Sequence, residues 1–430
     1  MAMKHPLILA ALVWVLGPSA ATSQTLEVSP DPVLVDEVAV IRASGLQANE
    51  RVSIQAELTD GAGVQWKSEA EFVADAQGVV DTSKQAPVKG SYDEISAMGL
   101  VWSMKPAGKG VKDYRPPHDP APQDIQFHLL RNGNPAATAQ LEQRFMADGV
   151  TATKVEGAVR GVLFLPATPG PHPGVLVVGG SEGGLPAPKA AWLASHGYAA
   201  FALAYFRYED LPRELAGIPL EYFGAALAWM IQRPEILSDQ IAVMGTSRGG
   251  ELALQLGSMY PEIKAVVAYV PANVRYPACC GSTAVPYAWM WRGQPLAYLS
   301  PRMAINPWEN QTAALTAAIP VEATHGPILL ISGGEDGVWD STLMADGVVN
   351  RLKQTHFAYH VEVLKYAHAG HRAGRPELVP AWHSGTERSA SGTELEFGGN
   401  AKGDAESSLD AIPKVLAFLG QSLQAPPPKQ

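Results

Sequence analysis

The sequence predicts two domains of different class, an all-β sandwich followed by a doubly wound, mostly parallel α/β sheet. Three observations carry this. The first third of the chain alternates polar and apolar residues at a period of two. The remainder alternates short, wholly apolar runs with helical stretches. The change of period occurs once, near Val159. The chain has 430 residues, enough for two or three domains, and its 47% hydrophobic content excludes a disordered polymer. Its 32 Lys+Arg against 42 Asp+Glu give a formal charge of −10, which argues against nucleic acid or an anionic membrane as the partner. A small molecule is the expected ligand.

The elements follow in order. Residues 1–23 read as a cleaved signal peptide. Lys4 precedes the apolar run 7–16, Gly17-Pro18 breaks it, and small residues follow at Ser19, Ala20, Ala21 and Ser23. The run is shorter than the roughly 20 residues of a spanning helix. No membrane span is expected after cleavage, and the mature protein is expected to be secreted or periplasmic.

Residues 24–148 are assigned to the sandwich. Residues 51–58 alternate strictly, Thr59-Asp60-Gly61-Ala62-Gly63 supplies a hairpin turn, residues 64–72 form the return strand, and 124–129 alternate again. This segment has no clustered Ser, His or Cys and reads as a packing or lid-supporting module. Residues 149–425 are assigned to the α/β domain. Its apolar runs at 174–178, 199–203, 241–244, 265–270 and 328–331 suit strands buried on both faces, with helices at 220–230 and 250–259 between them. An insertion at 273–326 carries Tyr276, Tyr287, Trp289, Trp291, Tyr298 and Trp308, and is expected to act as a cap, the alternative being a packed peripheral excursion whose aromatics are core. Within it, Cys279-Cys280 reads either as a disulfide or as two free thiols, with no catalytic role.

The chemistry is expected at strand ends. Gly245-Thr246-Ser247-Arg248-Gly249 is a G-x-S-x-G turn between a strand and a helix, which exposes a serine hydroxyl above the sheet. Ser247 is the candidate nucleophile. A hydroxyl needs a base, and in this arrangement an acid and then a histidine follow the serine. Asp336 lies where the run 328–331 ends and is the candidate acid, with Glu335 and Asp340 as alternatives. His371 is preferred to His368 as the base, because it follows a glycine in a loop that must swing back to the serine. The pair is spaced H-x-x-H without an H-E-x-x-H pattern, so no metal is expected. The oxyanion is expected to meet two backbone N–H groups, one from Arg248 and one from Ser181 in Gly179-Gly180-Ser181-Glu182-Gly183-Gly184. That loop lacks G-K-[ST], which disfavours nucleotide hydrolysis, and no cofactor is expected.

Longer segments carry a resemblance. They are Met98-Gly99-Leu100-Val101-Trp102, residues 202–212 (ALAYFRYEDLP), Leu220-Glu221-Tyr222-Phe223, residues 245–252 (GTSRGGEL) and Gly326-Pro327-Ile328-Leu329-Leu330. Glu335-Asp336 with Trp339, Gly370-His371 and Gly398-Gly399 complete the set. From about residue 26 to 419 the chain thereby resembles the acyl-CoA thioesterase / bile acid-CoA:amino acid N-acyltransferase family. The resemblance implies an immunoglobulin-like sandwich before an α/β-hydrolase domain. It implies Ser247, Asp336 and His371 as a Ser-His-Asp triad. Transferases of the family usually carry Cys where its hydrolases carry Ser, so it also implies hydrolysis of fatty acyl-CoA-like thioesters through an acyl-enzyme. Arg248, Arg275, Arg292 and Arg302 are the candidate cations for the phosphates of CoA. Two other readings stand beside it: an exported carboxylesterase acting on oxygen esters, and a non-catalytic envelope binding protein.

Overall fold

The computed structural model describes residues 23–117, 120–280, 284–299, 311–388 and 394–423. Of the sequence expectations, signal residues 1–22 and Arg302 and Trp308 of the insertion lie outside them.

In the sandwich, strand Arg51–Thr59 buries Val52, Ile54, Ala56 and Leu58 and turns the residues between them outward. Asp60 closes the hairpin: its Oδ1 accepts from the N–H groups of Ala62 and Val64 at 2.9 Å each, and its Oδ2 accepts from Trp66 Nε1 at 2.9 Å. The return strand is Gln65–Val73, and Gln123–Arg131 and Asn134–Arg144 extend the same sheet on the other side. A second sheet of Thr25–Ser29, Val40–Ser44 and Val80–Asp81 shares its core, where Ile41, Ile54, Phe72, Phe127 and Leu141 meet.

The α/β domain holds eight strands: β1 (Thr151–Val155), β2 (Arg160–Leu165), β3 (His172–Val178), β4 (Ala199–Ala204), β5 (Ile236–Thr246), β6 (Ile263–Tyr269), β7 (Ile328–Gly333) and β8 (Val361–Tyr366). Their spatial order is β1-β2-β4-β3-β5-β6-β7-β8. Only β2 runs against the rest, since it pairs antiparallel with both β1 and β4 while all later pairs are parallel. This is the sheet of an α/β hydrolase. Every residue of β4 and β7 is buried, as strands covered on both faces require. On one face lie α1 (Ala187–Ser195) and α5 (Ala401–Ser422); on the other lie α2 (Glu221–Ile231), α3 (Arg248–Met259) and α4 (Ser341–Gln354).

The two domains share one core. Trp192 of α1 and Val415 and Phe418 of α5 belong to the same apolar cluster as the sandwich interior. Backbone bonds seal the joint: Leu378 N–H donates to Val35 O at 2.7 Å, and Ala381 N–H to Trp102 O at 3.0 Å. His196 Nε2 stands 2.8 Å from Asp36 Oδ2, and Arg372 Nη2 donates to Asp113 Oδ2 at 2.8 Å. The segment that follows His371 is thus clasped by the sandwich.

Part of the described insertion is core. Trp289–Trp291 pairs with Ile218–Pro219, and Trp289, 1% exposed, packs on Tyr205 and Phe223. Trp289 thus fills core space on the α2–α3 side and Trp291 packs partly against the same cluster, whereas residues 292–295 of the insertion are exposed. Cys279 and Cys280 are joined to each other as a disulfide. Among the described residues no helix is long and apolar enough to cross a membrane.

Candidate active site

Ser247 sits between β5 and α3 with φ 59° and ψ −122°, a conformation few non-glycine residues adopt. The turn is that sharp because its flanks have no side chain. A Cβ on Gly245 would stand 2.0 Å from Gly249 O, and one on Gly249 would stand 2.5 Å from Gly179 O. Neither can exist without moving backbone. The Ser247 N–H donates to Tyr269 O at 2.9 Å, which fixes the turn to β6.

Three of the residues selected from sequence meet here. Ser247 Oγ lies 2.8 Å from His371 Nε2. His371 Nδ1 lies 2.9 Å from both Oδ1 and Oδ2 of Asp336. The Asp336 side chain is fully buried and that of His371 is 6% exposed. Asp336 Oδ1 also accepts from Val338 N–H at 3.0 Å and Trp339 N–H at 3.3 Å, so the loop after β7 orients the carboxylate. The ring of His371 is held edge-on by Trp339, with centroids 5.1 Å apart, and the backbone N–H of His371 donates to Phe397 O at 2.7 Å.

The alternatives fall elsewhere. His368 is exposed and pairs with Glu335, 3.0 Å from Oε1. Asp340 caps α4, accepting from Leu343 N–H at 2.8 Å. The loop holding Ser181 lies against the elbow: a Cβ on Gly180 would be 2.9 Å from Thr246 O and 3.4 Å from Ser247 Cβ. The Gly180 N–H is taken by Glu182 Oε1 at 2.9 Å. Among the described residues no hydrogen bond takes up the N–H of Ser181 or of Arg248.

Two arginines expected to face a CoA phosphate are turned inward. Arg248, 4% exposed, reaches Glu251 at 2.9 Å and donates to Pro277 O at 2.8 Å and Tyr276 O at 3.2 Å. Arg275 donates to Gln255 Oε1 at 2.6 Å and to Ala317 O at 3.2 Å. Arg292 is exposed and lies over Trp291. Burial is the cause. A guanidinium on α3 or beside it must satisfy its donors locally, and Glu251 and the loop carbonyls do so. Burial raises the carboxyl of Glu251 above its usual range, against the pull of Arg248 and of Trp289 Nε1, which donates to it at 2.6 Å. Arg248, Glu251 and Trp289 therefore pin the insertion to the nucleophile helix, and Tyr276 passes that contact on by stacking with Trp339 at 4.9 Å.

A cavity of about 290 Å³ opens beside His371, between the two domains. Val178, Gly179 and Thr246 form its floor; Met98, Trp102 and Tyr114 of the sandwich form the opposing wall. The sandwich, expected as a packing or lid-supporting module, walls the space next to His371. None of the insertion's described residues lines this cavity. Sequence reasoning missed this wall. Met98 and Trp102 are apolar residues in an all-β segment, and only the tertiary docking brings them over the sheet. Lys189 was missed as well, a lone lysine in an alanine-rich helix.

The chain is similar to known proteins over most of its length. Residues 36–157 match the family described as acyl-CoA thioester hydrolase/BAAT N-terminal region, and residues 218–425 match BAAT/acyl-CoA thioester hydrolase C terminal. Acyl-coenzyme A thioesterase 6 of Mus musculus is 30% identical over 413 residues, covering 91% of this chain and 95% of the relative. Acyl-coenzyme A thioesterase 1 of Rattus norvegicus is 31% identical over 396 residues, covering 90% and 94%. Acyl-coenzyme A amino acid N-acyltransferase 1 of Mus musculus is 34% identical over 416 residues, covering 92% and 97%.

Proposed function

The chain belongs to the acyl-CoA thioester hydrolase/BAAT family, and on that premise we propose that it is a serine hydrolase of acyl thioesters working through Ser247, His371 and Asp336. One observation carries this reading. A continuous line of hydrogen bonds runs from Ser247 Oγ through both ring nitrogens of His371 to a buried Asp336, beside the interdomain cavity. As Ser247 attacks the acyl carbonyl, His371 Nε2 takes its proton. Asp336 holds the ring in the tautomer with hydrogen on Nδ1 and stabilises the imidazolium. The N–H groups of Arg248 and Ser181 meet the oxyanion. The C–S bond then breaks, and His371 passes its proton to the leaving thiolate. A water deprotonated by His371 attacks the resulting serine ester, and Ser247 recovers its proton as the carboxylic acid departs.

A second reading, oxygen esters, is favoured by the inward turn of Arg248 and Arg275, which removes two cations from the account of CoA recognition. Hydrolysis of hexanoyl-CoA and p-nitrophenyl hexanoate by the protein from Gln24 onward separates the two. Higher kcat/KM on the thioester supports the first reading, and higher kcat/KM on the ester supports the second. The same proposal takes the mature protein to be secreted or periplasmic. N-terminal sequencing of exported protein checks this, with a start at Thr22 or Gln24 expected.

A further inference from the structure

Lys189, in the first turn of α1, places its ammonium in the wall of the interdomain cavity. Its Nζ donates to Thr246 Oγ1, the residue before Ser247, and stands 4.2 Å from the centroid of the Tyr269 ring. Among the described residues no carboxylate forms an ion pair with it. The other ionic groups of the cavity are Glu182, Arg372, Arg375, Glu377 and Asp404. Three of these are engaged: Glu182 accepts from Gly180 N–H, Arg372 donates to Asp113, and Asp404 accepts from Gly370 N–H at 2.9 Å.

An ammonium has three donors, and a hydroxyl plus an aromatic face do not use them all. Lys189 is half-buried, and drawing an ammonium partly out of water costs free energy. A wall meant only for hydrocarbon gains nothing from that expense, since methionine fills the same space more cheaply. We propose that Lys189 makes this part of the cavity a subsite for an anionic group of the substrate, either a carboxylate at the far end of the acyl chain or a phosphate of the leaving group. The inference rests on the thioester-hydrolase reading, which takes the cavity as the seat of the substrate. A cavity of about 290 Å³ has room for roughly ten non-hydrogen atoms at the volume of a water each, so a six-carbon diacid is a suitable probe.

Burial lowers the Lys189 ammonium to about 8, with Arg375 acting the same way and Glu377 and Glu182 opposing. Together with Thr246 and the Tyr269 ring, these are the groups that face it. The amine is therefore cationic at neutral pH and loses its charge as pH rises through about 8. Selectivity for an anionic group should be full below that point and fade above it.

The test uses four thioesters: hexanoyl and adipoyl (5-carboxypentanoyl), each as the CoA and as the uncharged N-acetylcysteamine derivative. The readout is the ratio of kcat/KM between anionic and neutral members. In wild type at pH 7 at least one ratio should favour the anion. A preference for adipoyl over hexanoyl places the subsite on the acyl side, and a preference for CoA alone places it on the leaving-group side. Lys189→Met should cut that ratio by about tenfold, the factor equivalent to 1.4 kcal/mol. Lys189→Arg should restore most of it, whereas a lysine that merely braced Thr246 would slow anionic and neutral members alike and leave the ratio unmoved in Lys189→Met. Ratios equal in wild type and Lys189→Met, with wild type active and both proteins folded by circular dichroism, overturn the subsite alone. Folded wild type that turns over none of the four overturns the thioester reading beneath it.

Discussion

The elbow at Ser247 and the cavity beside it are neighbours, yet they are built on different scales of the chain. The elbow is local. Six residues from Gly245 to Gly250 set a turn that two absent side chains permit, with hypothetical Cβ contacts of 2.0 and 2.5 Å showing how little slack there is. The cavity is assembled from segments as far apart as Met98 and Leu409, and it exists only because the sandwich docks on the sheet. On the proposed reading, the difference teaches that reactivity is encoded by short-range backbone sterics. The same reading has substrate choice encoded by long-range packing, which leaves far less trace in any short window of sequence.

That contrast can be broken from either side. The largest effect is expected at the elbow. Ser247→Ala should lower kcat by about 10⁶-fold with an unchanged melting curve, since it removes the attacking hydroxyl and little else. Asp336→Asn should cost about 10⁴-fold in kcat at neutral pH, by leaving His371 in the wrong tautomer, while KM changes little. Next comes the support of the elbow. Glu251→Ala strands Arg248 as an unpaired buried charge and should cost about 3–5 kcal/mol in urea unfolding, with activity lost in proportion to unfolding. On the cavity side, Trp102→Ala should raise KM several-fold while kcat holds within about threefold, because it removes wall and not chemistry. A kcat loss as large as that of Asp336→Asn would erase the distinction between the two regions. The smallest effect belongs to His368→Ala, an exposed position outside the hydrogen-bonded line, where stability should shift by less than about 0.5 kcal/mol and kcat should not move.

Legibility in the sequence followed the same divide. The strict alternation of residues 51–58 and the wholly apolar runs of the sheet strands state their burial directly, so both domains could be read from period alone. Ser247 was legible because G-x-S-x-G is a steric requirement written in adjacent residues. Asp336 and His371 were legible as residue types at strand ends, although choosing His371 over His368 needed the swing of a loop that spacing only hints at. Trp289 of the insertion lies in the core, where an aromatic residue is as apolar as it would be in a cap, so sequence alone could not choose between the two. Arg248 and Arg275 were misjudged for a related reason. A cation in sequence carries no sign of the buried Glu251 or Gln255 that meets it. Lys189 had no signal at all, since its partners Thr246 and Tyr269 lie on strands far along the chain.

The most direct test of the central claim is labelling with a fluorophosphonate probe, followed by peptide mapping and a parallel assay of thioester hydrolysis. A single adduct on Ser247, formed in step with loss of hydrolysis and absent from Ser247→Ala, is the predicted result. A folded protein that hydrolyses the thioester at full rate with Ser247 unlabelled, or with Ser247 replaced by alanine, would contradict the account.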